Sequence, residues 1–541
     1  AIIRYDNGFI AKFLKLADLL EGGDKQKLYD FLKEEFGFIF RMQQYYAKNF
    51  AEGGAKDLEE ADEAVRRELM RPLSHRQYRM VERAFGREDD DVISSIWDFL
   101  HDYGRIYDKT VMSCAEIGGC SLILEQVYCC LSRCLSRPPR NDFDEEIDRS
   151  DTNALKLEGF REYIFHADKD MEFPFRDDEF IHMWVADMEF ATPDFILDAI
   201  CDCLNQRILG YSGVYSDAYY EAFGAWCREK YGMEFPREQI CFSSGVVPAL
   251  FDLVRLTCGP GDKVLINTPA YAHFKHACDA NGTECVFSDL VVEDGYYTFD
   301  FEDFERKASA GDVRMFILCN PHNPSGRAWR REELERVAAV CERNHLWVVS
   351  DEIHCDLLRK GLKHVPMAKV MGDYDRLVTC MAVTKTFNAA GLAFSNVIIA
   401  DPGLRRKWAT QRASSFNPLS IAAAQAAYEE GASWLEELKE YLDGNFRLTG
   451  DYLAEHLPLA VFRIPEATYL AWVDMRAYFE PGEDITAFFA NEAGVLLEAG
   501  GMFVSNDAGF VRLNLACPKS MLREGLRRIC EAVNARAGKK A

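Results

Sequence analysis

The sequence predicts an α/β fold with a mostly parallel sheet, preceded by an all-α segment over residues 1–137. Three observations carry this. From about residue 240 short β-branched runs alternate with helical patterns, which is how a parallel sheet flanked by helices is written. Each run is followed at once by a polar or aromatic signature, so the signatures fall together at the carboxyl ends of strands, the edge where open α/β sheets bind ligands. Before the linker, apolar residues recur at helical spacing instead.

In the first segment Phe9, Ile10, Phe13, Leu14 and Leu16 share one helical stripe, and Leu28, Phe31, Leu32, Phe36 and Phe38 share another. Through Arg140 it holds 21 Lys and Arg against 24 Asp and Glu, so it lacks a cationic recognition helix. An accessory or partner-contacting role is expected there. Cys114, Cys120, Cys129, Cys130 and Cys134 lie in this segment without a Cys-x-x-Cys pair, and are expected to be core thiols with no metal site. Pro138-Pro139 and the polar run Arg140–Glu146 mark the domain boundary.

The whole chain has 541 residues, is 48% hydrophobic and 28% charged, and carries a formal charge of −25. That charge opposes nucleic acid and anionic membrane as partners. No apolar run approaches the roughly 20 residues that span a bilayer, and the start of the chain lacks a signal-peptide pattern. Eighteen scattered cysteines fit a reducing compartment, so a cytoplasmic protein is expected.

The strand runs are Val264–Asn267, Met315–Cys319, Leu346–Ser350 and Leu377–Val383. Their signatures are Thr268-Pro-Ala-Tyr271, Asn320-Pro-His-Asn-Pro-Ser-Gly326, Asp351-Glu-Ile-His354 and Thr384-Lys385. Upstream, Ser243-Ser-Gly-Val-Val-Pro248 puts small residues at a helix start, where free backbone N–H groups can hold an anion. A lysine, an aspartate, an aromatic residue and an anion cradle on one edge suggest an aldehyde cofactor with a phosphate handle. Singly, each has an ordinary structural reading: a surface lysine, a helix-capping aspartate, a turn asparagine, a core tyrosine, a strand arginine.

As an ordered set, these motifs resemble the fold-type I pyridoxal-phosphate enzymes. Within them, they are similar to the cystathionine β-lyase and cysteine-S-conjugate β-lyase branch of the class I/II aminotransferase family. Met183-Trp-Val-Ala-Asp-Met-Glu-Phe190, Gly210-Tyr211, Thr468-Tyr-Leu-Ala-Trp472 and Gly509-Phe-Val-Arg-Leu-Asn514 extend the likeness over about 142–541. The resemblance implies a large cofactor subdomain at about 205–425 and a smaller α/β subdomain from about 142–204 and 426–541. It also implies pyridoxal 5′-phosphate as cofactor, a small amino-acid substrate and a homodimer with shared sites.

By the same resemblance, Lys385 would form the Schiff base and act as base at Cα. Asp351 would pair with the pyridine nitrogen, Asn323 would hydrogen-bond the ring hydroxyl oxygen, and Tyr271 would stack on the ring. Gly245, Val246 and Thr384 would hold the phosphate, reached also by Tyr211 of a neighbouring subunit. Arg512 would clamp the substrate α-carboxylate.

Two departures from the aspartate-type aminotransferases point to the lyase branch. Ala393 stands where they carry a phosphate-neutralising arginine. His354, counted with the cofactor-binding residues, stands where they carry a tyrosine. The segment Glu498-Ala-Gly-Gly-Met-Phe503 lacks an expected proline-glycine, near where a substrate side chain would end. The expected reaction is β-elimination from L-cystathionine or another S-substituted cysteine. An aminotransferase is the nearest rival, and a regulatory protein with a retained cofactor fold is the rival from another class.

Overall fold

A computed structural model describes residues 141–411, 415–504 and 508–540. The helical reading of 1–137 and the cysteines from Cys114 to Cys134 lie outside the described residues.

Eight strands form the main sheet: β1 (Ile240–Ser243), β2 (Lys263–Thr268), β3 (Glu284–Glu293), β4 (Tyr296–Phe299), β5 (Val313–Cys319), β6 (Trp347–Asp351), β7 (Leu377–Met381) and β8 (Ser395–Ile399). Their spatial order is β1-β8-β7-β6-β5-β2-β3-β4. From β7 to β3 every neighbouring pair is parallel, and β8 and β4 run antiparallel beside that block. The mostly parallel sheet is as expected.

Both faces are covered, which is why the strands read as unbroken apolar runs and not as alternating ones. Val264, Ile266, Met315, Ile317 and Val349 pack on one side with Leu250 and Leu253 of a helix. Their strand neighbours Leu265, Phe316, Leu318 and Val348 pack on the other with Leu334 and Val337. A second sheet is antiparallel: β9 (Leu470–Asp474) and β10 (Glu498–Ala499) flank β11 (Phe510–Asn514).

Strand boundaries differ slightly from expectation. β7 stops at Met381, and Ala382 and Val383 lead into the turn that carries Lys385. β6 includes Asp351 as its last residue, so this aspartate caps no helix. In an open parallel sheet both positions open onto the same edge.

The helix α1 (Asp217–Tyr231) starts on Ser216, whose Oγ accepts the Ala218 N–H, and ends at Gly232, where φ of 64° favours glycine. It braces the carboxyl edge of the sheet through Asp356. That buried carboxylate accepts from Trp226 Nε1 at 3.1 Å, from the Tyr231 hydroxyl, and from Thr386 Oγ1 at 3.0 Å. Thr386 is the residue after Lys385, so a helix 125 residues upstream of Asp356 helps fix the lysine turn. Asp356→Ala orphans the Trp226 and Thr386 donors, while the Tyr231 hydroxyl keeps Cys355 Sγ at 3.1 Å, and is expected to cost about 2 kcal/mol or more, since each orphan costs roughly 1–3. The urea midpoint should fall accordingly, with Asp356→Asn intermediate; an unchanged midpoint would refute the bracing role.

Candidate active site

Lys385 is partly buried in the turn after β7, and its Nζ donates to the Ala186 carbonyl at 2.5 Å. The hydroxyl of fully buried Tyr469 donates to the same carbonyl at 2.8 Å. Burial is the main cause that brings the Lys385 ammonium down to about 8. Asp187 pulls it back up, Arg512 pushes it further down, and Glu498 and Asp351 act as Asp187 does. At neutral pH this amine is far closer to its free-base form than an ordinary lysine.

Asp351 points from the end of the adjacent strand β6. Burial raises its carboxyl to about 7, opposed by the Ile353 N–H, which donates to Oδ1 at 3.2 Å, and by the Lys385 charge, while Glu352 raises it further. An acid this reluctant to ionise calls for a cationic partner. Its neighbour Glu352 is structural instead: it accepts from Ser350 Oγ at 2.8 Å and the Met367 N–H at 2.9 Å, and contacts His364 Nε2 at 2.6 Å. Three positions on, His354 is buried, and its Nδ1 has no hydrogen-bond partner. Burial first, then the Lys385 and Arg512 charges, hold this imidazole neutral, at about 3.

Arg512, on β11, is 2% exposed, which removes the surface-arginine reading. Its Nη1 donates to Asn323 Oδ1 at 3.1 Å, joining the loop after β5 to the second sheet. Tyr271 begins the helix α2 (Ala272–Ala280) just beyond β2 and stacks on His273 with centroids 4.8 Å apart. Burial pushes its phenol up, with Tyr163, Glu498 and Asp351 adding to this and Arg512 opposing. Thr384 is buried beside Lys385.

Gly245 precedes the helix Val246–Thr257 with φ of 138°, a conformation that side chains avoid. This bare backbone opens the helix N-terminus to an anion. Two residues before it, Ser243 Oγ is buried with no partner. Small residues, free N–H groups and an orphaned hydroxyl fit a phosphate, and Lys385 with Asp351 fits an aldehyde-bearing pyridine ring.

Lys385, Asp351, Asn323, Tyr271, His354 and Arg512 are therefore brought together by the fold. Tyr211 is not: it is 99% exposed, in a stretch with Ile208, Leu209 and Tyr215 also exposed. Ala393 sits in a turn at φ of 48° and supplies no charge.

Sequence reasoning gave no role to several residues that shape the site. Asn388 clamps the 183–190 segment: its Nδ2 donates to the Met188 and Phe190 carbonyls at 3.0 and 2.7 Å, and its Oδ1 accepts the Met188 N–H at 2.9 Å. Asn514 holds the Val185 carbonyl at 2.8 Å and that of Asp187 at 2.6 Å. Buried Lys156 pairs with Glu189 at 2.5 Å and Asp187 at 3.4 Å. Glu498 forms a close ion pair with Arg512. A usable signal was the cluster of polar residues inside otherwise apolar motifs, Met183–Phe190 and Gly509–Asn514.

The model of the family "Aminotransferase class I and II" matches residues 179–529. Cystathionine beta-lyase PatB of Bacillus subtilis is 38% identical over 398 residues, 73% of this chain and 100% of PatB. The PLP-bound C-S lyase of Staphylococcus hominis superposes with a TM-score of 0.70 at 45% identity, over 72% of this chain and 98% of that one. Cystalysin of Treponema denticola, which contains pyridoxal 5′-phosphate, gives 0.69 at 31%, over 73% and 99%. Matching the family model across more than half its length, and these relatives along nearly all of theirs, the chain belongs to the class I and II aminotransferase family.

Proposed function

We propose that this protein is a pyridoxal-phosphate-dependent carbon–sulfur β-lyase. It cleaves L-cystathionine or another S-substituted L-cysteine to a thiol, pyruvate and ammonia. The observation that carries this is the pairing of Lys385 and Asp351 at neighbouring strand ends, in a chain 45% identical to a C-S lyase.

Lys385 would hold the cofactor through its aldehyde and is placed to take the proton from the substrate Cα; its lowered pKa suits both tasks. When bound, the cofactor supplies an electron-withdrawing ring that accepts the charge left at Cα. Asp351 would keep the ring nitrogen protonated, Asn323 would donate to the ring hydroxyl oxygen, and Tyr271 would cover one face, with His354 as a neutral neighbour. Gly245 and Val246 offer N–H groups to the phosphate, and Thr384 offers a hydroxyl. Arg512 takes the α-carboxylate. The Cβ–S bond then breaks, the thiolate leaves, and water hydrolyses the three-carbon fragment.

Exposed Tyr211 would reach the phosphate held by a second copy, in a homodimer with shared sites. The exposed apolar stretch around Tyr211 supports this. No helix among the described residues is long and apolar enough to cross a membrane, and the protein works in the cytoplasm on a small amino acid, without nucleic acid.

An aminotransferase would use the same residues but return the Cα proton to the cofactor carbon. Incubation with L-cystathionine and no keto acid separates the two. Many turnovers of pyruvate per protein are expected. A single turnover, with the cofactor left in its amine form, would overturn the lyase reading.

A further inference from the structure

The cation assigned to the substrate already holds a carboxylate of this chain. Glu498 and Arg512 are direct partners across β10 and β11, and are 6% and 2% exposed. Arg512 Nη2 forms the close ion pair with Glu498 Oε2 and also lies 3.4 Å from the Trp184 carbonyl. Nη1 is held by Asn323, Nε is buried without a partner, and the guanidinium lies 5.0 Å from the Phe503 ring centroid.

A guanidinium receives a carboxylate bidentately along one of two edges, Nη1/Nη2 or Nε/Nη2, because the third is closed by its own Cδ. Nη2 brings one N–H to each edge, and both are engaged, one by Glu498 and the other by the Trp184 carbonyl at 3.4 Å. An α-carboxylate therefore cannot dock two-pronged while this ion pair stands, and the bare Nε marks one fork as half filled.

We propose that Glu498 is an internal stand-in for the substrate carboxylate, which pairs with Arg512 in the free protein and is displaced from Nη2 when an amino acid binds. This rests on the reading of Arg512 as the α-carboxylate site. The groups facing Glu498 are the Arg512 and Lys385 cations and the Tyr163 and Tyr271 phenols. Burial already raises its carboxyl, and the two cations oppose this. Parted from Arg512, it loses the larger opposing charge, so it takes up a proton from solvent as the substrate enters. The stand-in thus lowers affinity for every α-amino acid, and does so more as pH rises.

The test is equilibrium binding to the holoenzyme, read from the cofactor absorbance, with L-alanine and with L-alaninamide, which lacks the carboxylate. Neither has a β-leaving group. Wild type should bind L-alanine more tightly than the amide. Glu498→Gln should tighten L-alanine about tenfold or more, the lower end of the net worth of a charged hydrogen bond. It should leave L-alaninamide within about threefold of wild type on the same scale. The ratio of wild-type to variant Kd for L-alanine should grow from pH 7 to pH 8.5. Glu498→Ala is the second variant, and should shift L-alanine in the same direction. If wild type binds both ligands alike, Arg512 does not read the carboxylate, and the site reading falls with the proposal. If wild type discriminates but both variants leave L-alanine unchanged or weaker, the stand-in is refuted and the Arg512 reading survives.

Discussion

Lys385→Ala is expected to lower kcat for cysteine-conjugate cleavage by about 10⁴-fold, the upper end of what a positioned proton-transfer group supplies. The loss should be that large because the proposed mechanism gives one side chain two tasks, holding the cofactor and moving the Cα proton. Its position suits both: the turn after β7 fixes the backbone, Asp356 holds the next residue Thr386, Asn388 ties the chain three residues on to the Met188 and Phe190 carbonyls, and the Ala186 carbonyl receives Nζ at 2.5 Å. Added methylamine should restore part of the rate, because a free amine can stand in as proton acceptor. Lys385→Arg should not recover activity, since its guanidinium stays charged. Circular dichroism and the melting temperature check that the variants fold. A Lys385→Ala protein with more than about a hundredth of wild-type kcat would remove the lysine from the mechanism, because even a modest positioned base contributes about 10².

How much of this was legible depended on sequence distance. β5 to β7 could be read directly, because both sheet faces are buried and each strand is an unbroken apolar run. Asp351 and Lys385 could be placed because each follows such a run at once. Glu498 could not. It lies in a two-residue strand, and its meaning comes from pairing with Arg512 and from the loss of exposure on both sides. Asp356 and Asn388 were equally silent, since their partners are 30 to 200 residues away in sequence. Local pattern reveals where a strand ends, but not what a second sheet or a returning segment lays across that end. The exposed aromatic Tyr211 illustrates the reverse case, where a motif could be read while one chain leaves it outside the site.

Asp351→Asn is expected to lower kcat by about 10² to 10³, the range seen when one preorganised charge partner of a reacting group is removed. The change keeps shape and removes charge, so it isolates electrostatics. In the protein alone, burial lifts this carboxyl to about 7, and ionising it is costly without a cation beside it. A protonated pyridine nitrogen is such a cation, and each group stabilises the charged form of the other. With asparagine the amide can accept a hydrogen bond but cannot pay for the proton on the ring, and the ring then withdraws charge from Cα poorly. The same variant should release cofactor faster on dialysis, since one charged contact is gone, while Lys385 still bonds it. Because the ring cation draws the Asp351 carboxyl down from about 7, the acid limb of wild-type kcat that comes from its protonation should lie well below pH 7, and that limb should vanish in Asp351→Asn. If the variant keeps kcat within about tenfold of wild type, short of the loss a charge partner implies, the negative charge at the end of β6 plays no part in holding the ring proton, and Asp351 reverts to a buried structural acid.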